Sequence, residues 1–167
     1  LNNTINISGP VAVNGNSIVV NNPITSTGNI TLDADTGSQL SFAGYGVYVN
    51  GNLTTTGAGN IRIDGRGGNS SVGTQYGVEQ VAGASIQAQG TGSVTITGIG
   101  GNATGATNTG INIRGSVTTN GGALTIAGTG GATGSSTGSD GVTLFSGTSL
   151  ASGSGALTLT AVGSGTV

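Results

Sequence analysis

The chain has 167 residues, of which Gly, Ser, Thr and Asn together supply 96, and its formal net charge is −2. Three Arg and no Lys cannot neutralise a run of phosphates, so nucleic acid is not an expected partner. No apolar run approaches the roughly 20 residues of a membrane-spanning helix, and a chain without Cys or His has neither disulfides nor most transition-metal sites.

So much Gly would suit a disordered segment, but Leu, Ile, Val and Phe still supply 38 residues, and the low charge does not hold the chain expanded. Most are β-branched or Leu, the side chains that suit a pleated, half-buried strand. In chain order, Ile5-Asn6-Ile7, Val11-Ala12-Val13 and Ile18-Val19-Val20 read as the strands of one compact coil within residues 1–27. Pro10 and Pro23 stand at or beside strand starts, where a missing N–H is tolerated.

A repeat follows. Gly28-Asn29-Ile30-Thr31-Leu32-Asp33 returns from Gly59, Gly92, Gly122 and Gly155, at spacings of 31, 33, 30 and 33 residues. The units are 28–58, 59–91, 92–121, 122–154 and a partial 155–167. Behind three of the copies stands a glycine pair, Gly67-Gly68, Gly100-Gly101 and Gly130-Gly131, read as a turn. A second strand then opens with Gly and a β-branched residue, at Gly46-Val47, Gly77-Val78, Gly110-Ile111 and Gly141-Val142. A third begins near Leu53, Ile86, Val117 and Leu150. Variation in unit length is assigned to the stretch between the first and second strands, such as Gly68 to Tyr76, an excursion loop.

Alternation at period two sends the apolar members of each strand to one face. Stacked units would align Ile30, Ile61, Val94, Leu124 and Leu157 in one ladder, Leu32, Ile63, Ile96, Ile126 and Leu159 in a second, and Val47, Val78, Ile111 and Val142 in a third. One unit cannot bury its apolar side chains alone, which is the physical reason for repetition. The fold class is therefore all-β, a parallel β-helix, with the right hand expected from the handedness of β crossovers. Ile63, Ile96, Ile111 and Ile126 should face inward, and Arg62, Thr95 and Thr125 outward.

The Gly-opened strand, the glycine pair, the variable Asn/Thr/Gly loop and the Gly-Val/Ile strand resemble the repeats of filamentous-haemagglutinin-like adhesins and related bacterial surface proteins. The likeness covers about residues 24–167, with Pro23 to Leu32 an especially typical stretch. It implies a secreted, cell-surface rod or stalk that is exported unfolded, and no binding residue carries over. Leu1 reads as an internal residue of a longer precursor. Both ends of the array run straight into strands without a cap, so the implied partners are end-to-end neighbours of the same array or further copies in a fibre, with surface glycans a further class.

No catalytic residue, metal ligand or cofactor is expected. Asp33 aligns with Asp64, and Arg62 shares the face of Asp64; a polysaccharide-cleaving β-helix would use such carboxylates, but a solvated face with a compensating Arg accounts for them. Asp35 aligns with Arg66. The stretches at Gly67 and Gly100 lack the Asp of a calcium-binding nonapeptide, and no Lys-Ser/Thr follows them as in a phosphate loop. A rival function is ice binding, through outward Thr95 and Thr97 and Thr158 and Thr160; the other units offer Thr31/Asp33, Arg62/Asp64 and Thr125/Ala127, which break the array. Tyr45 and Tyr76 occupy equivalent positions and would stack, the best local candidate for a glycan platform. Arg114 and Phe145 align for a cation–π contact.

Overall fold

The computed structural model describes residues 4–34, 44–70, 73–102, 107–131 and 138–164, and all its regular elements are strands. The chain opens with β1 (Ile5–Ile7), β2 (Val11–Asn14), β3 (Ile18–Val20) and β4 (Ile24–Ser26). Next come β5 (Ile30–Ala34), β6 (Val47–Val49) and β7 (Leu53–Thr55), then β8 (Ile61–Arg66), β9 (Val78–Gln80) and β10 (Ser85–Ala88). The array continues through β11 (Val94–Ile99), β12 (Ile111–Ile113) and β13 (Ser116–Thr119) to β14 (Leu124–Thr129), β15 (Val142–Leu144), β16 (Ser149–Ala151) and β17 (Leu157–Val162).

Every third strand pairs in parallel, so the chain winds as a β-solenoid with three sheets. The first-strand sheet runs β2-β5-β8-β11-β14-β17, the second-strand sheet β3-β6-β9-β12-β15, and the third-strand sheet β1-β4-β7-β10-β13-β16. The register follows the sequence repeat: Ile61 pairs with Val94 and Val94 with Leu124, and Val78 pairs with Ile111. Ile63, Ile96, Ile111 and Ile126 are at most 1% exposed, as alternation requires, while Arg62 is exposed and Thr95 and Thr125 lie on the outer face, half-buried.

The N-terminal coil is the compact one. Ile5 pairs with Ile24 and Val11 with Ile30, 19 residues per turn, whereas Ile30 pairs with Ile61 at 31. The missing length lies between the first and second strands: Val11 to Ile18 is 7 positions, but Ile30 to Val47, Ile61 to Val78 and Val94 to Ile111 are each 17. Among the long units this stretch is nearly constant, which corrects the sequence expectation. Their differences arise at the next two corners: Val47 to Leu53 takes 6 positions and Val78 to Ile86 takes 8, while Leu53 to Ile61 takes 8 and Val117 to Leu124 takes 7.

Small polar side chains hold the other corners. Thr55 Oγ1 donates to Gly59 O at 2.6 Å and Ser152 Oγ to Gly155 O at 2.7 Å, so an inward hydroxyl is satisfied by the carbonyl of the glycine that opens the next strand. Just before the first strands, Asn29 Oδ1 accepts from Asn60 N and Asn60 Oδ1 from Ser93 N, an amide ladder along the axis. At the ladder ends the same positions lose their cover. Leu157 and Leu159 are 49% and 46% exposed, while Leu124 and Ile126 one coil earlier are fully buried.

Candidate functional site

The excursion between first and second strands is a thin fin with two limbs. On the outgoing limb, a Cβ added to Gly65 would lie 2.2 Å from Gly77 O, and one added to Gly67 2.3 Å from Gln75 O, both on the return limb of the same coil. No side chain fits between limbs at that spacing. The glycine pairs are therefore sites of close backbone approach and not tight turns; positive φ falls elsewhere, as at Gly57 and Gly83. The limbs also bond from coil to coil, with Gly77 N donating to Thr109 O and Gly101 N to Gln75 O. Gln75, Asn108 and Ser139 stack as a buried polar row inside the fin.

Because Gln75 and Gly77 face the other limb, Tyr76 between them points away from it, and Tyr45 holds the equivalent place one coil earlier. Residues three apart on an extended strand point to opposite sides. The Tyr45 and Tyr48 ring centroids are nevertheless 4.8 Å apart, so the chain bends at Gly46, and fin and second-strand sheet close on a shared corner. Tyr76 completes a three-ring cluster, 5.7 Å from Tyr45.

Alternation turns Glu79 and Asn112, paired in register, to the outer face of this sheet. Both are nonetheless buried, at 5% and 2% exposure. Glu79 Oε1 accepts from Arg114 Nε at 2.9 Å, and the Arg114 guanidinium lies 3.6 Å from the centre of the Phe145 ring. The Asn112 side chain bonds to the Tyr76 hydroxyl. Burial is the chief cause that raises the Tyr76 phenol above its ordinary value, and the bond from Asn112 works against it. Glu79 Oε2 and Asn112 Oδ1 find no donor among the described residues.

On the outer side of the first-strand sheet Thr31, Asp33, Thr95 and Thr125 are half-buried, Arg62 is exposed and Asp64 is buried. Arg62 pairs with Asp64 across one intervening residue, and Asp33 sits in register beside Asp64, so the alignment of these three holds. Asp64 is the first cause of the raised Arg62 pKa. The pairing of Asp35 with Arg66 lies outside the described residues. Thr95 and Thr97 stand beside Arg62 and Asp64 on one side and Thr125 and Ala127 on the other, so the outward Thr pairs are interrupted in register. Among the described residues no group of three or more His, Cys, Asp and Glu could hold a metal ion, and no helix is long and apolar enough to cross a membrane.

Sequence reasoning found the Tyr45–Tyr76 and Arg114–Phe145 pairs but missed Tyr48, Glu79 and Asn112 as their neighbours, since only the bend at Gly46 brings positions three apart together. It also missed Gln80, which faces the core and donates from Nε2 to Ala84 O and Ser116 O. No protein-family model, no curated protein and no solved structure matches the chain.

Proposed function

We propose that this chain is a rod-forming segment of an extracellular, bacterial cell-surface protein of adhesive type, whose task is mechanical and not enzymatic. The observation that carries this reading is the stack itself: three parallel sheets run the length of the described residues, and equivalent Ile, Leu and Val side chains are sealed coil upon coil into one continuous core. Such a core lengthens by repetition along one axis and builds a rod. The Cys-free, weakly charged composition suits a chain that crosses a membrane unfolded and draws its stability from repetition.

The test is to insert three extra copies of residues 59–91 between Gln89-Gly90-Thr91 and Gly92. A rod lengthens by about 14 Å, three strand spacings, in small-angle scattering, and its unfolding midpoint rises because each added coil brings its own interfaces. A particle that stays the same length, or one that loses stability, overturns the reading.

A further inference from the structure

Three Asn-Gly pairs stand in the chain: Asn14-Gly15, Asn50-Gly51 and Asn120-Gly121. In such a pair the glycine nitrogen can attack the asparagine side-chain amide, because no Cβ shields it and the backbone turns freely. The attack requires that nitrogen to leave any hydrogen bond it makes and swing onto Cγ, a local opening of the fold. Two of the three are held against it. Gly15 N donates to Asp33 O at 3.0 Å and Gly51 N to Val20 O at 2.8 Å, each a bond to a neighbouring coil. A Cβ on Gly51 would also run into the Asn22 carbonyl, so the backbone there has no room to turn.

Gly121 differs on both counts. Its N–H has no hydrogen-bond acceptor among the described residues, and a Cβ placed on it would meet only Ser154 Oγ, at 3.6 Å. The preceding Asn120 is anchored through its own N–H to Ala88 O at 3.1 Å, and its side chain is exposed.

We propose that Asn120 is a site of spontaneous deamidation, and that the coil-to-coil bonds of Gly15 and Gly51 protect Asn14 and Asn50 from the same reaction. Gly121 N gives up its proton and bonds to Asn120 Cγ; the Cγ–Nδ2 bond breaks, and the amide leaves with that proton as ammonia. The five-membered imide takes up one water and opens at either carbonyl. One opening gives aspartate; the other gives isoaspartate, with the main chain rerouted through the side chain. Water is the one co-reactant, and the product is a carboxylate. The six strands of the third-strand sheet contain no charged residue, so the charge arrives at the end of an otherwise uncharged sheet. Isoaspartate also adds a main-chain atom between Thr119 and Gly122, whose carbonyl the Thr119 hydroxyl holds. The rod reading does not depend on this site.

The test is incubation of the folded chain in mildly alkaline buffer, followed by tryptic mass mapping. Cleavage after Arg114 releases residues 115–167, in which Asn120 is the sole Asn, while Asn14 and Asn50 fall in residues 1–62 and are told apart by their fragment masses. In the folded chain Asn120 converts about tenfold faster than either, the factor that one net hydrogen bond contributes. In denaturant the three convert at comparable rates. Gly121→Ala, which has room for its methyl group, slows conversion at Asn120 several-fold. Folded-state conversion of Asn14 or Asn50 as fast as that of Asn120 overturns the proposal. So does an Asn120 that stays intact while the denatured chain converts. Both readings are made on the unaltered chain, so they decide the matter whatever the variant does.

Discussion

An arginine–carboxylate pair stands on the outer face of the first-strand sheet, Arg62–Asp64 within one strand, and another on the second-strand side, Arg114–Glu79 between two coils, yet the pairs live in different surroundings. Arg62 is 64% exposed at its side chain and Arg114 36%, while both carboxylates are covered, Asp64 at 12% and Glu79 at 6%. The pairs therefore differ chiefly in how far the cation is solvated, and in that Glu79 keeps a buried oxygen without a partner among the described residues.

The comparison breaks first if the fin is forced open. In Gly77→Val the new Cβ would lie 2.5 Å from Gly110 O and from Ile99 N, so the limbs must part. We expect a loss of about 3 kcal/mol in denaturant unfolding together with a shifted tyrosine emission. The matched change on the flat face, Thr95→Val, stays within about 0.5 kcal/mol.

Removing the cation from each pair sharpens the contrast. Arg114→Ala leaves the Glu79 carboxylate buried and without its partner, and should cost about 2 kcal/mol, below the usual figure for a buried pair because Arg114 is one-third exposed. Arg62→Ala should cost less than about 1 kcal/mol. High salt should largely erase the second loss and leave the first, since buried pairs are screened least. Equal losses in the two variants would refute the contrast.

The smallest effect is in pH. A tyrosine whose phenol is raised on folding contributes stability that is whole below the unfolded value of about 10 and is lost as pH climbs through the folded one. Tyr76→Phe should therefore flatten the alkaline fall in stability slightly. In ultraviolet titration it should remove a phenol that ionises above the usual range. An unchanged titration curve would mean that Tyr76 is more open to water than the corner implies.

Most of the solenoid was legible because its core repeats one decision. Every copy of the Gly-opened strand sends its third and fifth residues, always Ile, Leu or Val, to the same face, and a one-residue slip would expose the whole ladder. The inward Ser26 and Thr55 were not legible as corner latches, because hydroxyls on strands ordinarily face water and only the nearby glycine carbonyls turn them in. Nor was Gln80, which stands where the neighbouring coils place Val49 and Ile113. Its amide is held by two corner carbonyls that belong to different coils.

By itself the sequence determined the winding, the register and the inner ladders, since period-two alternation and a repeat of about thirty residues leave one way to bury the Leu, Ile and Val side chains. Only the tertiary structure decided what the glycine pairs do and where the candidate site lies. Those depend on two limbs touching backbone to backbone and on a bend at Gly46 that brings Tyr45 onto Tyr48. A strand pattern carries no information about such a bend, because a close approach is fixed by the segment on the other side of it.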